Sequence, residues 1–256
     1  MSEPLLTAQG LAKRFGGVQA VRDLSLVAAA GSVLAVIGPN GAGKSTLLNL
    51  LSGIYQPDAG TLSLAGVDLT GLADHRRARL GIARTFQKIR LFKQLSALDN
   101  VLAGFHRHHR LRPWQYLLQG GAVARDRARR QEEAQALLAF VGLERRAAAT
   151  AGAMAYGEQR MLEIARALAT GPRLLMVDEP AAGLNAAEVE GLFQRIDGLR
   201  RRGMSVVVVE HNMDLVMSIA DRVMVMDYGQ TLFEGTPGEV QRHPAVIAAY
   251  LGTELA

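Results

Sequence analysis

A chain of 256 residues has room for one large domain or two modest ones, and 49% hydrophobic against 21% charged residues is a globular balance with ample material for a core. No run approaches the ~18 apolar residues of a membrane span, and Met1-Ser2-Glu3-Pro4 lacks the basic-then-apolar pattern of a signal peptide, so the expectation is a cytoplasmic protein. The lack of cysteine removes disulfide and thiol chemistry; a net charge of +5, with arginine far outnumbering lysine, suits an anionic partner or simply a well-solvated surface.

Residues 1–30 alternate apolar and polar in two runs separated by Gly16-Gly17, which predicts antiparallel strands. Phe15, just before the glycine pair, suits either an aromatic platform for adenine or an edge-strand core position. Val33-Leu34-Ala35-Val36-Ile37 then leads into Gly38-Pro39-Asn40-Gly41-Ala42-Gly43-Lys44-Ser45-Thr46, followed by Leu47, Leu48, Leu50 and Leu51. That reads strand, glycine loop, helix, with the spacing G-x-x-x-x-G-K-[ST] of a phosphate-binding loop. Glycines let successive N–H groups turn towards phosphate oxygens, and the helix adds its positive end. Lys44 can neutralise the β- and γ-phosphates of ATP, and the Ser45 hydroxyl can ligate Mg²⁺.

Residues 57–66 read as a turn and another strand, and Gly81 to Gln87 as a strand ending in an amide. Gln87 can reach a metal or an attacking water, or can be an ordinary strand end. From 88 to 152 the chain turns Ala-, Arg-, Leu- and Gln-rich with helical spacing. Asp99 is expected to open one helix, and Arg127 to Val141 to form another with Ala134, Leu137, Leu138 and Val141 on one face. Between them, 105–116 carries three histidines with no carboxylate or cysteine to complete a ligand set, so metal binding is not expected. With Trp114 and Tyr116, its basic character suits lipid headgroups, a membrane partner or a solvated excursion.

Met154-Ala155-Tyr156-Gly157-Glu158 leads into a helix, and a glycine at a helix start is again a backbone anion site. Leu174 to Val177 is an apolar strand that delivers Asp178 and Glu179 at its end. Asp178 suits Mg²⁺ held through water, and Glu179 can polarise a water; the alternative is that both merely cap the next segment of chain. An amphipathic helix is expected over 188–202. Ser205 to Val209 is a second buried, parallel-type strand, ending at His211. In a doubly wound sheet both strands would empty at the ligand edge, which gives His211 a catalytic reading. Two strands over 221–233, a capping box at Thr236-Pro237-Gly238-Glu239 and a last helix to Leu251 complete the chain. One phosphate loop and no internal repeat predict one nucleotide-binding domain.

Taken in order, Phe15, Gly38 to Ser45, Gln87, Met154 to Glu158, Asp178-Glu179, Gly183 to Asn185 and His211 resemble the ATP-binding subunit of ABC transporters over nearly the whole chain. The resemblance implies an α/β P-loop NTPase core with a mostly parallel sheet, an antiparallel β subdomain and a helical subdomain. Core and β part would span about 1–87 and 171–256, and the helical part, with the signature motif, about 88–170. It implies adenine stacking on Phe15, a glutamine loop at Gln87 that senses Mg²⁺ and the permease, Glu179 as general base and His211 as switch histidine. Met154 to Glu158 would reach the γ-phosphate of ATP on the opposite subunit. Partners would be integral-membrane permease subunits, a second ATP-binding subunit and, indirectly, a solute-binding protein, with no nucleic acid. The chain would sit peripherally on the cytoplasmic face of the cell membrane, with Leu91 and Phe92 near the permease.

Two departures from the common motifs, Ala155-Tyr156 in the signature and Asn185 for the usual aspartate, resemble the branched-chain amino-acid uptake branch, as do Arg84-Thr85-Phe86-Gln87 and Glu234-Gly235-Thr236-Pro237. Urea, short amides and lipopolysaccharide export are alternatives for the same ATPase role. A soluble ATPase acting on nucleic acid or ribosomes is the rival class.

Overall fold

The computed structural model describes residues 3–105 and 121–251. The basic-aromatic stretch 106–116 lies outside the described residues. In chain order the elements are β1 (Pro4–Phe15), β2 (Val18–Ala29), β3 (Val33–Ile37), α1 (Lys44–Ser52), β4 (Ala59–Leu64), β5 (Val67–Asp68), α2 (Asp74–Leu80) and β6 (Ile82–Arg84). Helices α3 (Ala97–Gly104), α4 (Gly121–Phe140) and α5 (Tyr156–Ala169) come next. The chain ends with β7 (Leu174–Asp178), α6 (Ala186–Arg201), β8 (Ser205–Val209), α7 (Met213–Ile219), β9 (Arg222–Asp227), β10 (Gln230–Gly235), α8 (Pro237–Arg242) and α9 (Pro244–Leu251).

Two compact units emerge: Met1–Arg84, Arg173–Ala182 and Val189–Ala256 in one, Thr85–Pro172 with Gly183–Glu188 in the other. The first unit holds two sheets. An antiparallel sheet runs β2-β1-β4-β5, and a six-stranded sheet runs β10-β9-β3-β8-β7-β6, parallel throughout except for the β9–β10 hairpin at its edge. The mostly parallel core sheet and the antiparallel β part expected from the sequence are both present. Every residue of β3, β7 and β8 is buried, which is why these strands read as continuous apolar runs rather than as alternation. In the antiparallel sheet alternate residues of β2, Leu24, Leu26 and Ala28, turn inward and join Leu6, Ala8 and the apolar residues of α1 in one core.

Register lines up the ends of the parallel strands. Val36 pairs with Val209, Val209 with Asp178, and Met176 with Arg84. Four neighbouring strands, β3, β8, β7 and β6, therefore release their chains at one sheet edge, where open α/β sheets bind ligands.

The sequence placed Gln87 at a strand end; the strand stops at Arg84, and Gln87 lies three residues on in irregular chain. The physical reason is in the second unit. Fully buried Arg160 of α5 donates to the Phe86 and Gln87 carbonyls at 2.7 and 2.9 Å, taking backbone groups that a ladder would need. The same guanidinium donates to the Glu163 carboxylate at 3.0 Å and to the Tyr156 hydroxyl at 3.1 Å. Burial pushes the Glu163 carboxyl up, against the Arg90 N–H and the Arg160 charge that hold it down.

Helix starts also differ. Asp99 does not open α3: the Ser96 hydroxyl accepts the Asp99 N–H at 3.0 Å, which makes Ser96 the cap and the helix two residues longer. Helix α4 is under way by Gly121, six residues before Arg127. Helix α6 starts at Ala186 because Asn185 and Glu188 form a reciprocal capping pair, with bonds of 3.0 and 2.9 Å. Val101, Phe105, Ala134, Leu138, Val141, Leu162 and Ala165 form the core of this unit.

The helix that carries the phosphate loop is stopped by Gly53 at φ 86° and by Arg77. Arg77, fully buried, donates to the Leu50 and Leu51 carbonyls at the end of α1 and, through Nε, to the Leu72 carbonyl at 2.8 Å. It supplies both the missing donors and a positive charge at the negative helix end. Replacing Arg77 by Ala removes three charge-assisted bonds and a buried side chain. The Leu50 and Leu72 carbonyls keep the Gly53 N–H and the Gln56 amide, while the Leu51 carbonyl loses its capping donor, at about 1–3 kcal/mol for such a buried group. We predict a loss of about 3 kcal/mol in urea unfolding, and a change under about 0.5 kcal/mol would show that the cap contributes little.

Candidate nucleotide site

The loop after β3 is shaped by two close approaches. Gly38 at φ 146° and Gly43 at φ 100° lie in the left-handed half of backbone space, and a Cβ there would strike the Met226 and Ala20 carbonyl oxygens. Only glycine gives both the turn and the contact. Burial beside this loop pushes the Tyr250 hydroxyl up to about 12.

Lys44 opens α1 and is 7% exposed. Its Nζ donates to the Gly38 carbonyl at 2.6 Å and the Pro39 carbonyl at 2.8 Å, closing a ring of its own loop. Burial pulls its pKa below the ordinary lysine value, while the Glu179 and Asp178 carboxylates pull it back up. A cation held on two neutral carbonyls can transfer to a phosphate, which offers stronger, charge-assisted bonds.

Around it lies a cleft of about 350 Å³, lined by Val18, Gln19, Ala20 and Arg22 from the start of β2, by Asn40 to Thr46, and by Glu179, Tyr228 and Gly229. The whole phosphate loop beyond Pro39 and one predicted carboxylate are thus brought together. Phe15 is not in that lining. It is 41% exposed, its ring meets Tyr55 edge-on at 5.2 Å, and Lys13 Nζ stands 5.7 Å from its centre. Val18 and Tyr228, 68% and 78% exposed, are apolar surface at the cleft that no sequence motif marks. Tyr228 had one signal, a Tyr-Gly turn between two strands, and it takes a positive φ of 42°.

At the end of β7, Asp178 is buried and paired with Arg84 at 2.8 Å. Glu179 turns out of the strand at φ 44°; its N–H donates to the Val209 carbonyl and its own carbonyl accepts the Ala182 N–H. Glu210, the residue after β8, is fully buried and accepts the N–H groups of Ala181, His211 and Asn212 at 2.8, 3.0 and 3.2 Å, and so joins the two loops. The His211 side chain is 63% exposed, with Nδ1 3.9 Å from Glu210 Oε2.

The donor set fits Mg²⁺. No cluster of three or more His, Asp or Glu side chains exists among the described residues, so no all-protein cage is built. Mg²⁺ is ordinarily held by one or two carboxylates, a hydroxyl and the substrate's phosphates, and Asp178 with exposed Ser45 supplies that share.

The remaining predicted residues belong to the second unit. Gln87 is exposed. Met154 is buried and Ala155 caps α5, where the Glu158 carboxylate accepts the Ala155 N–H at 3.0 Å and pairs with Arg146. Gly157 is needed because a Cβ would strike the Glu188 carboxylate, and the Tyr156 ring covers Gly183. Tyr156, which stands in place of a glycine, touches Arg160 and Gly183 within this unit.

A family profile described as ABC transporter matches residues 21–182, and one described as branched-chain amino acid ATP-binding cassette transporter matches 230–256. The chain is 45% identical to the high-affinity branched-chain amino acid transport ATP-binding protein BraF of Pseudomonas aeruginosa and 42% identical to LivG of Escherichia coli, each over 98% of this chain and 99% of the relative. Identity to the lipopolysaccharide export system ATP-binding protein LptB of Acidithiobacillus ferridurans is 36%, over 99% of both. Among solved structures, the ADP conformation of MJ1267, an ATP-binding cassette of an ABC transporter, superposes with a TM-score of 0.84 at 29% identity, covering 98% of this chain and 100% of that one. Dimeric MJ0796, a bacterial ABC transporter cassette, gives 0.78 at 25% identity, covering 91% and 99%. With a phosphate loop, an acidic strand end and matches along nearly its full length, the chain belongs to the ATP-binding cassettes of ABC transporters, in the branch of the branched-chain amino-acid transport ATP-binding proteins.

Proposed function

We propose that this chain binds and hydrolyses ATP to drive an ABC importer for branched-chain or other hydrophobic amino acids. The observation that carries the reading is the single sheet edge at which β3, β7 and β8 release the Lys44 loop, Asp178-Glu179 and His211, with the loop and Glu179 lining one cleft. Loop N–H groups and Lys44 hold the β- and γ-phosphates; Ser45 and Asp178 would hold Mg²⁺. When bound, that ion neutralises charge on the phosphate oxygens. Glu179 takes the proton of the water whose oxygen attacks the γ-phosphorus as the bond to the β-phosphate breaks and ADP leaves, and His211 contacts the γ-phosphate. Phe15 is the aromatic for adenine, reached by rotation at an exposed strand end.

In the second unit, Gln87 senses the metal and the permease, and Met154 to Glu158 covers ATP on a partner ATPase subunit. The dimeric cassette MJ0796 supports such a pairing. With serine replaced by Ala155 and Glu158 held by Arg146, that contact falls to the backbone at Gly157. Permease subunits provide the membrane path, and a solute-binding protein delivers the cargo. No helix of the described residues is long and apolar enough to cross a membrane, which suits a peripheral subunit on the cytoplasmic face. Phe92, 52% exposed, is surface for the permease. Higher identity to BraF and LivG than to LptB, with the branch-specific match over 230–256, favours amino-acid import over lipopolysaccharide export.

Two variants test the chemistry. Lys44→Ala should weaken ATP binding and abolish turnover in the purified chain; unchanged hydrolysis would remove the loop from the site. Glu179→Gln keeps Asp178 and the cleft, so ATP binding should persist while hydrolysis falls by about 10² to 10⁴. Uncleaved ATP should then hold the variant as a dimer, with itself or with a related ATPase, in size-exclusion chromatography with light scattering. Full hydrolysis would strip Glu179 of the base role, and an ATP-bound variant that stays monomeric in every combination would contradict the paired arrangement. For the cargo, proteoliposomes holding this chain with its permease should take up leucine, isoleucine or valine on ATP addition. Uptake of urea or short amides alone would reassign the solute.

A further inference from the structure

Asp178 is not alone at its strand end. Arg84, the last residue of the neighbouring strand β6, lays its guanidinium across three groups. Nη2 donates to Asp178 Oδ2 at 2.8 Å, and Nη1 donates to Asn49 Oδ1 at 2.6 Å and to Ser52 Oγ at 3.1 Å. Both charged side chains are nearly dry, 7% and 6% exposed. Asn49 and Ser52 sit four and seven residues after Ser45, so all three share one face of α1.

We propose that Arg84 is a positioning residue for the metal–nucleotide site. It ties the carboxylate on β7 to the α1 face that carries the Ser45 hydroxyl, and so fixes the spacing between the two groups assigned to Mg²⁺. With Oδ2 taken by the guanidinium, Oδ1 is the carboxylate oxygen that would serve the metal. The planar fork explains why arginine suits the place: it reaches the carboxylate and the helix from one rigid group, which an ammonium on a flexible stem does not. Orientation of a ligating carboxylate by an outer hydrogen bond is a general way to tune metal affinity, with changes of about 10–100-fold on its loss. The inference rests on the Mg-nucleotide reading of the cleft.

The experiment is an ATP titration of the full chain, once in EDTA and once in saturating Mg²⁺, by calorimetry, with melting temperatures measured in parallel. The wild type should bind more tightly with Mg²⁺. Arg84→Lys should keep its EDTA affinity within about twofold and lose about tenfold of the Mg²⁺-dependent gain. Asn49→Ala keeps both charges and removes one leg of the fork, so it should move the gain in the same direction by less. An undiminished gain in Arg84→Lys and Asn49→Ala overturns the role of Arg84 and leaves the metal site standing. Equal losses in EDTA and Mg²⁺, with a lowered melting temperature, also overturn it in favour of a purely structural pair. A wild type indifferent to Mg²⁺ overturns the metal reading itself, and this inference with it.

Discussion

Lys44 is a cation kept largely out of water, resting on the Gly38 and Pro39 carbonyls of its own loop. Desolvation makes such a charge costly, and two neutral oxygens compensate only in part. The surrounding structure sustains it. Gly38 and Gly43 allow the loop to close, Met226 and Ala20 press on it from neighbouring strands, and Asp178 and Glu179 contribute an attractive field from β7. A triphosphate supplies what the lysine lacks. The cleft is best understood as an anion site with its charge already in place.

The parallel sheet makes this arrangement possible. Because β3, β8, β7 and β6 run the same way in adjacent positions, their register alone sets the Lys44 loop, Glu210-His211, Asp178-Glu179 and Arg84 in a row. Two fully buried polar side chains then brace this edge and the helix that leaves it. Glu210 joins the loops after β7 and β8, and Arg77 anchors the far end of α1. Neither belongs to a familiar motif, and both act through backbone groups.

Much of this was legible in the sequence because the signals were local. The glycine loop has a fixed spacing, the fully buried strands are continuous apolar runs, and Thr236-Pro237-Gly238-Glu239 declares its own helix start, as the structure shows. What the sequence hid was non-local. Gln87 left its strand because Arg160, more than seventy residues on, captured two carbonyls. Asp178 announced a metal-type carboxylate but gave no hint of Arg84. Asn185 read as a departure from a motif, and in the fold it caps α6 with Glu188, a task asparagine and aspartate share. Val18, at the start of β2, and Tyr228, in the turn between β9 and β10, line the cleft without belonging to any nucleotide motif.

The claim on which the account turns is that the Lys44 ammonium leaves its loop carbonyls for phosphate. A crystal structure of the chain with Mg²⁺ and a non-hydrolysable ATP analogue tests it most directly. The account predicts Lys44 Nζ about 3 Å from β- and γ-phosphate oxygens, with its bonds to Gly38 and Pro39 broken and the phosphates inside the 38–46 loop. A nucleotide bound elsewhere, or one bound here with Lys44 still on the two carbonyls, would contradict it.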